Sequence, residues 1–260
     1  MPEIHPSAIV SERARLAEDV TVGPFSIIDA GVEIGPGSVI GAHAWITGSS
    51  KLGKNNTVGY GTIIGADPQD TSFKVETASN VEIGDDNVIR EYVTIHRSAA
   101  EGGSTSVGHS NFLMTGVHLA HDVQMGSHNV LANNVLVAGH VKMADHVFLG
   151  GGSGFHQFIH IGQYAIVQGN AVVSRDVPPY CMGHGRNELA GLNVIGLRRG
   201  GFTPEERADI KRAYQLLFRS GGNMSESLAE ADKSTWTDVA KHLLHSARHA
   251  SRKGMISRSS

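Results

Sequence analysis

From Ile4 onward an aliphatic residue falls on every sixth position: Ile4, Val10, Leu16, Val22, Ile28, Ile34, Ile40, Ile46, Leu52, Val58 and Ile64. The phase is lost over residues 66–80, returns at Ile83, Ile89 and Ile95, breaks again over the glycine-rich "SAAEGGSTS" (98–106), and then holds from Val107 to Val173. A period of six matches neither the roughly 3.6-residue turn of an α-helix nor the roughly 8- to 12-residue turn spacing of a hairpin-built sheet. It fits a solenoid of short parallel strands, with one inward aliphatic residue per face and small residues where the chain turns a corner. Three such faces make one coil, so residues 18 apart in sequence stack into columns, with rungs roughly 4.8 Å apart.

The two out-of-phase segments are expected to project as loops, where functional residues collect. The stretch "DVPPY" (176–180) ends the hexads, because consecutive prolines remove ladder donors. Beyond it, Thr203, Pro204 and Glu206 carry the N-cap, first-turn and capping-box signals of a helix that closes on Gly221. A further helix is expected around Trp236 to Ala247, with Tyr214, Phe218 and Trp236 as core residues. The expected architecture is mainly β: a solenoid domain over residues 1–187 and an α-helical domain over 188–260 that covers the solenoid's open edge.

Cys181 is the only cysteine, which excludes an internal disulfide and a cysteine-based zinc cluster and fits a reducing compartment. The first residues carry no basic segment followed by an apolar core, and no later run reaches the length of a membrane span. A cytoplasmic chain with no integral membrane contact is expected. The formal net charge of −3 offers no basic surface for a nucleic acid. The charge is unevenly placed, with 12 Lys and Arg against 7 Asp and Glu in residues 191–260. That excess fits either a solvated surface or an anionic partner docked through groups such as Arg199 and Arg212.

The stretch "TGVHLAHDVQMG" (115–126) holds His118, His121 and Asp122. Taken alone it admits a metal site, a catalytic base with a supporting carboxylate, or solvated imidazoles. The columns narrow the choice. His121 stacks under Gly139 and Gln157, with His140 and His156 flanking, and His96 joins if the 98–106 loop contributes six extra residues. Four histidines from separate parts of the chain then meet on one face. Asp122 does not follow from this, since successive strand residues face opposite sides unless a corner redirects one of them. Asn133, Gly151 and Gly169 form a column on a second face. Its glycines leave either a groove for an extended apolar chain beside the histidines or simply room for tight coils. His5, His43, His109, His128, His146 and His245 read as ordinary surface residues, and "LGGGSGF" (149–155) lacks the Gly-Lys-Ser/Thr ending of a phosphate loop.

The hexads together with "IHR" (95–97), "HLAHD" (118–122), "LANN" (131–134), "AGH" (138–140), "FHQF" (155–158), "DVPPY" and "GLRRGGF" (196–202) resemble the UDP-N-acetylglucosamine O-acyltransferase family of lipid A biosynthesis over essentially the whole chain. The resemblance implies a left-handed parallel β-helix, a hand that general crossover rules disfavour, and a homotrimer with active sites between subunits. It implies transfer of a 3-hydroxyacyl chain from acyl carrier protein to the 3-position of UDP-N-acetylglucosamine, the first step of lipid A biosynthesis. No cofactor or metal is implied beyond the phosphopantetheine thioester that the carrier protein brings. His121 would be the general base, since an imidazole of ordinary pKa about 6.5 suits neutral pH. Asp122 would orient it, and the Gly139 N–H would stabilise the oxyanion. Gln69, Asp70, His96, His118, His140, Gly151, His156, Gln157, Asn193 and Arg199 would contact the nucleotide sugar or acyl donor, and Gly169 would set acyl-chain length.

Three positions depart from the family pattern. Ser72 replaces a lysine, with Lys74 two residues on, Ile195 replaces a glutamate, and Gly200 replaces an arginine. These leave open an N-acyltransferase acting on a 3-amino nucleotide sugar. A zinc enzyme of the hexapeptide carbonic anhydrase type is the alternative that fifteen histidines keep in view. A carrier-binding solenoid without catalysis is the third, disfavoured by the intact histidine column.

Overall fold

The computed structural model describes residues 1–257. Short strands, most of two residues, recur once per hexad from β1 (Glu3–Ile4) to β26 (Val172–Val173) and stack in parallel into three sheets. Sheet A starts with β1, sheet B with β2 (Ile9–Val10) and sheet C with β3 (Arg15–Leu16), and the chain visits them in that order coil after coil. The hexad aliphatics are the inward residues of these strands. Ile46, Ile64, Ile95, Leu119 and Val137 are fully buried, whereas Ile4, on the uncovered first coil, is 40% exposed.

The outward residues divide by sheet. Sheet C presents Arg15, Glu33, Lys51, Glu82 and Lys142 in one ladder, while sheet B presents Ile9, Ile27, Trp45, Leu136 and Val172. Corners pass through left-handed backbone. At the B-to-C corner this falls on Asp122, His140 and Phe158, with φ of 61, 60 and 66°. Just before sheet A runs a buried asparagine ladder that the period of six does not reveal. Asn87 Nδ2 donates to Asn56 Oδ1 at 3.0 Å, Asn111 Nδ2 to Asn87 Oδ1 at 2.9 Å, and Asn129 N–H to Asn111 Oδ1 at 2.9 Å.

Both interruptions are loops at the B-to-C corner. His118 pairs with Leu136, 18 residues on, but Thr94 pairs with His118, 24 residues on. The 98–106 segment thus adds six residues, which brings His96 onto this face opposite Ala120 and puts Arg97, not His96, in the His121 column.

The prolines end the hexads but not the ladder. β27 (Cys181–His184) adds one more parallel rung beside β25 (Ile166–Val167), and β28 (Glu188–Leu192) folds back antiparallel on it. Helices α1 (Val194–Arg199), α2 (Pro204–Arg219), α3 (Met224–Ala231) and α4 (Asp238–Arg248) follow. The expected capping box forms at α2: Thr203 Oγ1 accepts from Glu206 N–H at 3.1 Å and Glu206 Oε2 from Thr203 N–H at 2.8 Å. Tyr214 and Trp236 are buried as expected. α1 and α3, at six and eight residues, are too short to show an apolar period. The helices close the last coils, with Tyr180 fully buried against Phe202 and His242.

Candidate active site

His121 and Asp122 lie at the B-to-C corner that follows β17 (His118–Leu119). The left-handed φ of Asp122 turns its side chain back beside its neighbour, which a regular strand cannot do and a short polar residue tolerates. His121 Nδ1 lies 2.8 Å from Asp122 Oδ2, and both groups are largely enclosed. An ionised carboxylate accepts only, so Nδ1 carries the proton and Nε2 is left as the base. Burial raises the Asp122 pKa, but hydrogen bonds from Ser98, His121 and the Ala99 N–H, with the charge of His140, outweigh it and leave the carboxyl below its usual range.

One rung on, the corner repeats with Gly139 over His121 and His140 over Asp122. His140 N–H bonds His121 O at 3.1 Å, and His140 Nε2 lies 3.7 Å from Asp122 Oδ2. The next rung stacks Phe158 flat on His140, 4.5 Å between ring centres. Among the described residues the Gly139 N–H has no acceptor, which leaves it available to a ligand oxygen. The side chains of His121, Asp122 and His140 are close enough to share an ion, with donor atoms within 4.8 Å of one another. The direct His121–Asp122 hydrogen bond is also the geometry of an imidazole oriented by a carboxylate.

His118 faces outward on sheet B, its Nδ1 2.7 Å from Thr94 Oγ1, and packs edge-on to His96 at 4.8 Å. Burial, reinforced by the charges of His118 and His121, pulls the His96 pKa down to about 4. Burial and His121 likewise lower that of His118. These are neutral imidazoles at neutral pH. His156 does not join them: it is exposed, and its Nδ1 lies 3.2 Å from Gln157 O. It shares the register of His96 but lies three rungs away from it, past Ala120 and Ala138. Four histidines do meet, but His118 takes the place expected of His156.

Gln69 and Asp70 lie exposed on the 66–80 loop. Hydrogen bonds from the Ser72 N–H and hydroxyl, both 2.8 Å, hold the Asp70 carboxyl below its usual range, and His121 is near enough to add to the effect. Ser72, the departure from the lysine pattern, thus braces Asp70. The loop is anchored by Arg97, buried apart from 8%, which donates to Asp67 Oδ1 at 2.8 Å, to Val75 O at 2.9 Å and to Thr77 O, and sits 4.9 Å over the Phe73 ring. Ser98, Thr105 and Arg97 carry no signal in the hexads; only the "IHR" motif and the 98–106 interruption mark the region.

Asn133, Gly151 and Gly169 stack as expected, with Gly152 N–H to Asn133 O and Asn170 N–H to Gly151 O each at 2.9 Å. They occupy the A-to-B corner, however, so in one chain sheet B separates them from His121. The groove is therefore not beside the histidine column, because each hexad ends at a different corner of the prism. Gly169 borders an apolar recess of about 540 Å³ that includes Phe148, Ile166, Met182 and Ala190. Asn193 caps α1, its Oδ1 accepting from Gly196 N–H and its Nδ2 donating to Tyr164 O, both at 2.9 Å, and Arg199 is exposed on the same helix. Tyr164 lies at the C-to-A corner, so these two also sit away from His121. Gly200, in place of the arginine, has no room for a Cβ, which would fall 2.6 Å from Tyr164 Cε1. Arg212 is committed within the helices, donating to Asp209 and Thr235 O and lying 3.9 Å over the Trp236 ring.

A left-handed parallel β-helix of hexapeptide repeats bearing a histidine–carboxylate pair at one corner defines the hexapeptide-repeat acyltransferase class. The profile described as UDP-N-acetylglucosamine O-acyltransferase, domain 2, matches residues 176–256, and that of bacterial transferase hexapeptide (six repeats) matches residues 13–48. The chain is 43% identical, over 90% of its length and 91% of the relative's, to an acyl-[acyl-carrier-protein]–UDP-N-acetylglucosamine O-acyltransferase of Thermodesulfovibrio yellowstonii. It is 41% identical, over 98% and 99%, to one of Syntrophobacter fumaroxidans. Among solved structures, the UDP-N-acetylglucosamine acyltransferases of Francisella novicida (39% identity, TM-score 0.91, 98% and 94% covered) and Bacteroides fragilis (38%, 0.93, 97% and 99%) superpose on it. The chain belongs to the UDP-N-acetylglucosamine O-acyltransferase family.

Proposed function

We propose that the protein transfers a 3-hydroxyacyl chain from acyl carrier protein to the 3-hydroxyl of UDP-N-acetylglucosamine, the entry to lipid A biosynthesis. The observation that carries this reading is the His121 Nδ1–Asp122 Oδ2 contact of 2.8 Å with a glycine on the next rung. His121 Nε2 takes the proton of the sugar hydroxyl as its oxygen attacks the thioester carbon. The oxyanion that forms is stabilised by the Gly139 N–H. Collapse of the tetrahedral intermediate breaks the C–S bond, and the imidazolium returns its proton to the departing phosphopantetheine thiolate. Asp122 keeps the imidazole in the tautomer that both steps need.

Gln69, Asp70, His96, His118, His140, His156 and Gln157 serve the substrates at the B-to-C corner. Gly151, Gly169, Asn193 and Arg199 lie on other corners and come from a neighbouring protomer of a homotrimer. The outward apolar ladders of sheet B and of sheet A, where Phe148 and Val88 are exposed, support such an assembly, since patches of this kind mark interaction surfaces. No described helix is long and apolar enough to cross a membrane, consistent with a cytoplasmic enzyme. The full-length likeness favours neither the 3-amino-sugar nor the zinc alternative. Incubating the protein with 3-hydroxyacyl carrier proteins and UDP-N-acetylglucosamine, with its 3-amino analogue in parallel, tests the reading. Absence of an acylated product from the hydroxyl sugar would overturn it.

A further inference from the structure

The Asp122 carboxylate is held at both ends. Oδ2 takes His121 Nδ1 at 2.8 Å and the Ala99 N–H at 3.2 Å, with His140 Nε2 at 3.7 Å as a competitor. Oδ1 takes the hydroxyl of Ser98, a residue with no solvent exposure. The direction of that bond is fixed. Ser98 Oγ already accepts the Ala100 N–H at 3.0 Å, and an ionised carboxylate has no proton to give, so the hydroxyl donates to Asp122. Ser98 is itself tied to the other inserted loop, its carbonyl accepting from Ser79 Oγ at 2.6 Å. Thr105 Oγ1 receives the Asp122 N–H at 2.8 Å and fixes the backbone beneath.

We propose that Ser98 is a positioning residue for acyl transfer, locking the Asp122 carboxylate so that Oδ2 faces His121 rather than His140. This rests on the acyltransferase reading above. Without the hydroxyl, Oδ1 is left buried and without a donor, and the carboxylate rotates toward the half-exposed His140, releasing the imidazole from its orientation. Ser98 touches no position assigned to either substrate, so its effect is confined to turnover.

The test measures kcat and KM for both substrates in Ser98→Ala, Ser98→Cys and Ser98→Thr, in Asp122→Ala, and in the Ser98→Ala/Asp122→Ala double variant, with thermal melts for each. Ser98→Ala is expected to lower kcat about tenfold, the order of one hydrogen bond to a charged group, with both KM values within about twofold. Ser98→Cys, near-isosteric with a weak donor, shifts kcat in the same direction and serves if the alanine variant melts early. Ser98→Thr restores turnover, and Ser98→Ala adds less than about twofold once Asp122 is gone. Wild-type kcat in both Ser98→Ala and Ser98→Cys, or an undiminished loss in the Asp122→Ala background, overturns the inference. Wild-type turnover in Asp122→Ala itself overturns the catalytic reading beneath it, a result distinct from either.

Discussion

Gly139 and His121 occupy one shared volume: a Cβ on Gly139 would lie 2.7 Å from Cε1 and 2.8 Å from Nε2 of the imidazole. Gly139 lies outside the left-handed region, so alanine is tolerated by the backbone and its cost falls on the ring. Gly139→Ala is expected to fold normally and lose about a hundredfold in kcat, the order of penalty for a displacement near 1 Å at a reacting group. Turnover assays beside thermal melts decide this. Unimpaired turnover would mean that the working imidazole sits elsewhere.

His121→Ala removes the base and leaves a small cavity at a corner rather than in the aliphatic core. Turnover should fall by roughly 10² to 10⁴, with the melting temperature and oligomeric state little changed. Near wild-type kcat in this variant would falsify the mechanism.

Gly169 borders the apolar recess beside Met182 and Ala190, and its Cβ would press closely only on Gly151 O, at 3.0 Å, with Gly151 N at 3.6 Å and Gly150 C at 3.9 Å in ordinary contact. Gly169→Met should therefore be accommodated by a shift of a few tenths of an ångström while filling the end of the recess. Each methylene excluded from an apolar site loses about 0.8 kcal/mol, so preference should move to an acyl chain several carbons shorter. The ratio of kcat/KM for long and short hydroxyacyl carrier proteins reports it. An unchanged ratio would place the chain elsewhere.

His96 titrates at about 4 in the fold because burial disfavours its charge, against about 6.5 in the unfolded chain. Between those values the unfolded state binds the proton and the folded state does not, so stability is fully present above pH 6.5 and is lost as pH falls toward 4. The loss amounts to up to about 3 kcal/mol. Urea unfolding at pH 7 and pH 4.5, at one protein concentration, should show a smaller drop in His96→Asn than in the wild type. Equal drops would show that other groups govern acid stability.

Asn87 sits mid-ladder, donating to Asn56 Oδ1 and Gly108 O and accepting from the N–H and Nδ2 of Asn111. Asn87→Ala strands several buried polar groups at once, so a destabilisation of about 3 kcal/mol is expected. Chemical denaturation measures it directly, and a loss below about 1 kcal/mol would mean that the ladder re-forms around the gap.

The aliphatic residue at every sixth position was enough to specify a three-sided parallel solenoid. Only that arrangement buries Ile28, Ile46, Ile64 and their successors while leaving the intervening residues outside. The same arithmetic placed Gly139 over His121 and, once six loop residues were allowed for, brought in His96, because rung spacing in a parallel ladder is constant. The capping box at Thr203 was equally legible, being a local rule. Asp122, Ser98 and Arg97 were not derivable this way. Whether a carboxylate turns back toward its neighbour depends on one left-handed φ, and how a loop returns to the coil depends on bonds between residues 98, 79 and 122 that no period encodes. The tertiary structure alone also assigned the columns to their corners, setting Gly169 and Asn193 apart from His121, because a period of six fixes how residues stack along an edge but not which edge of the prism each column occupies.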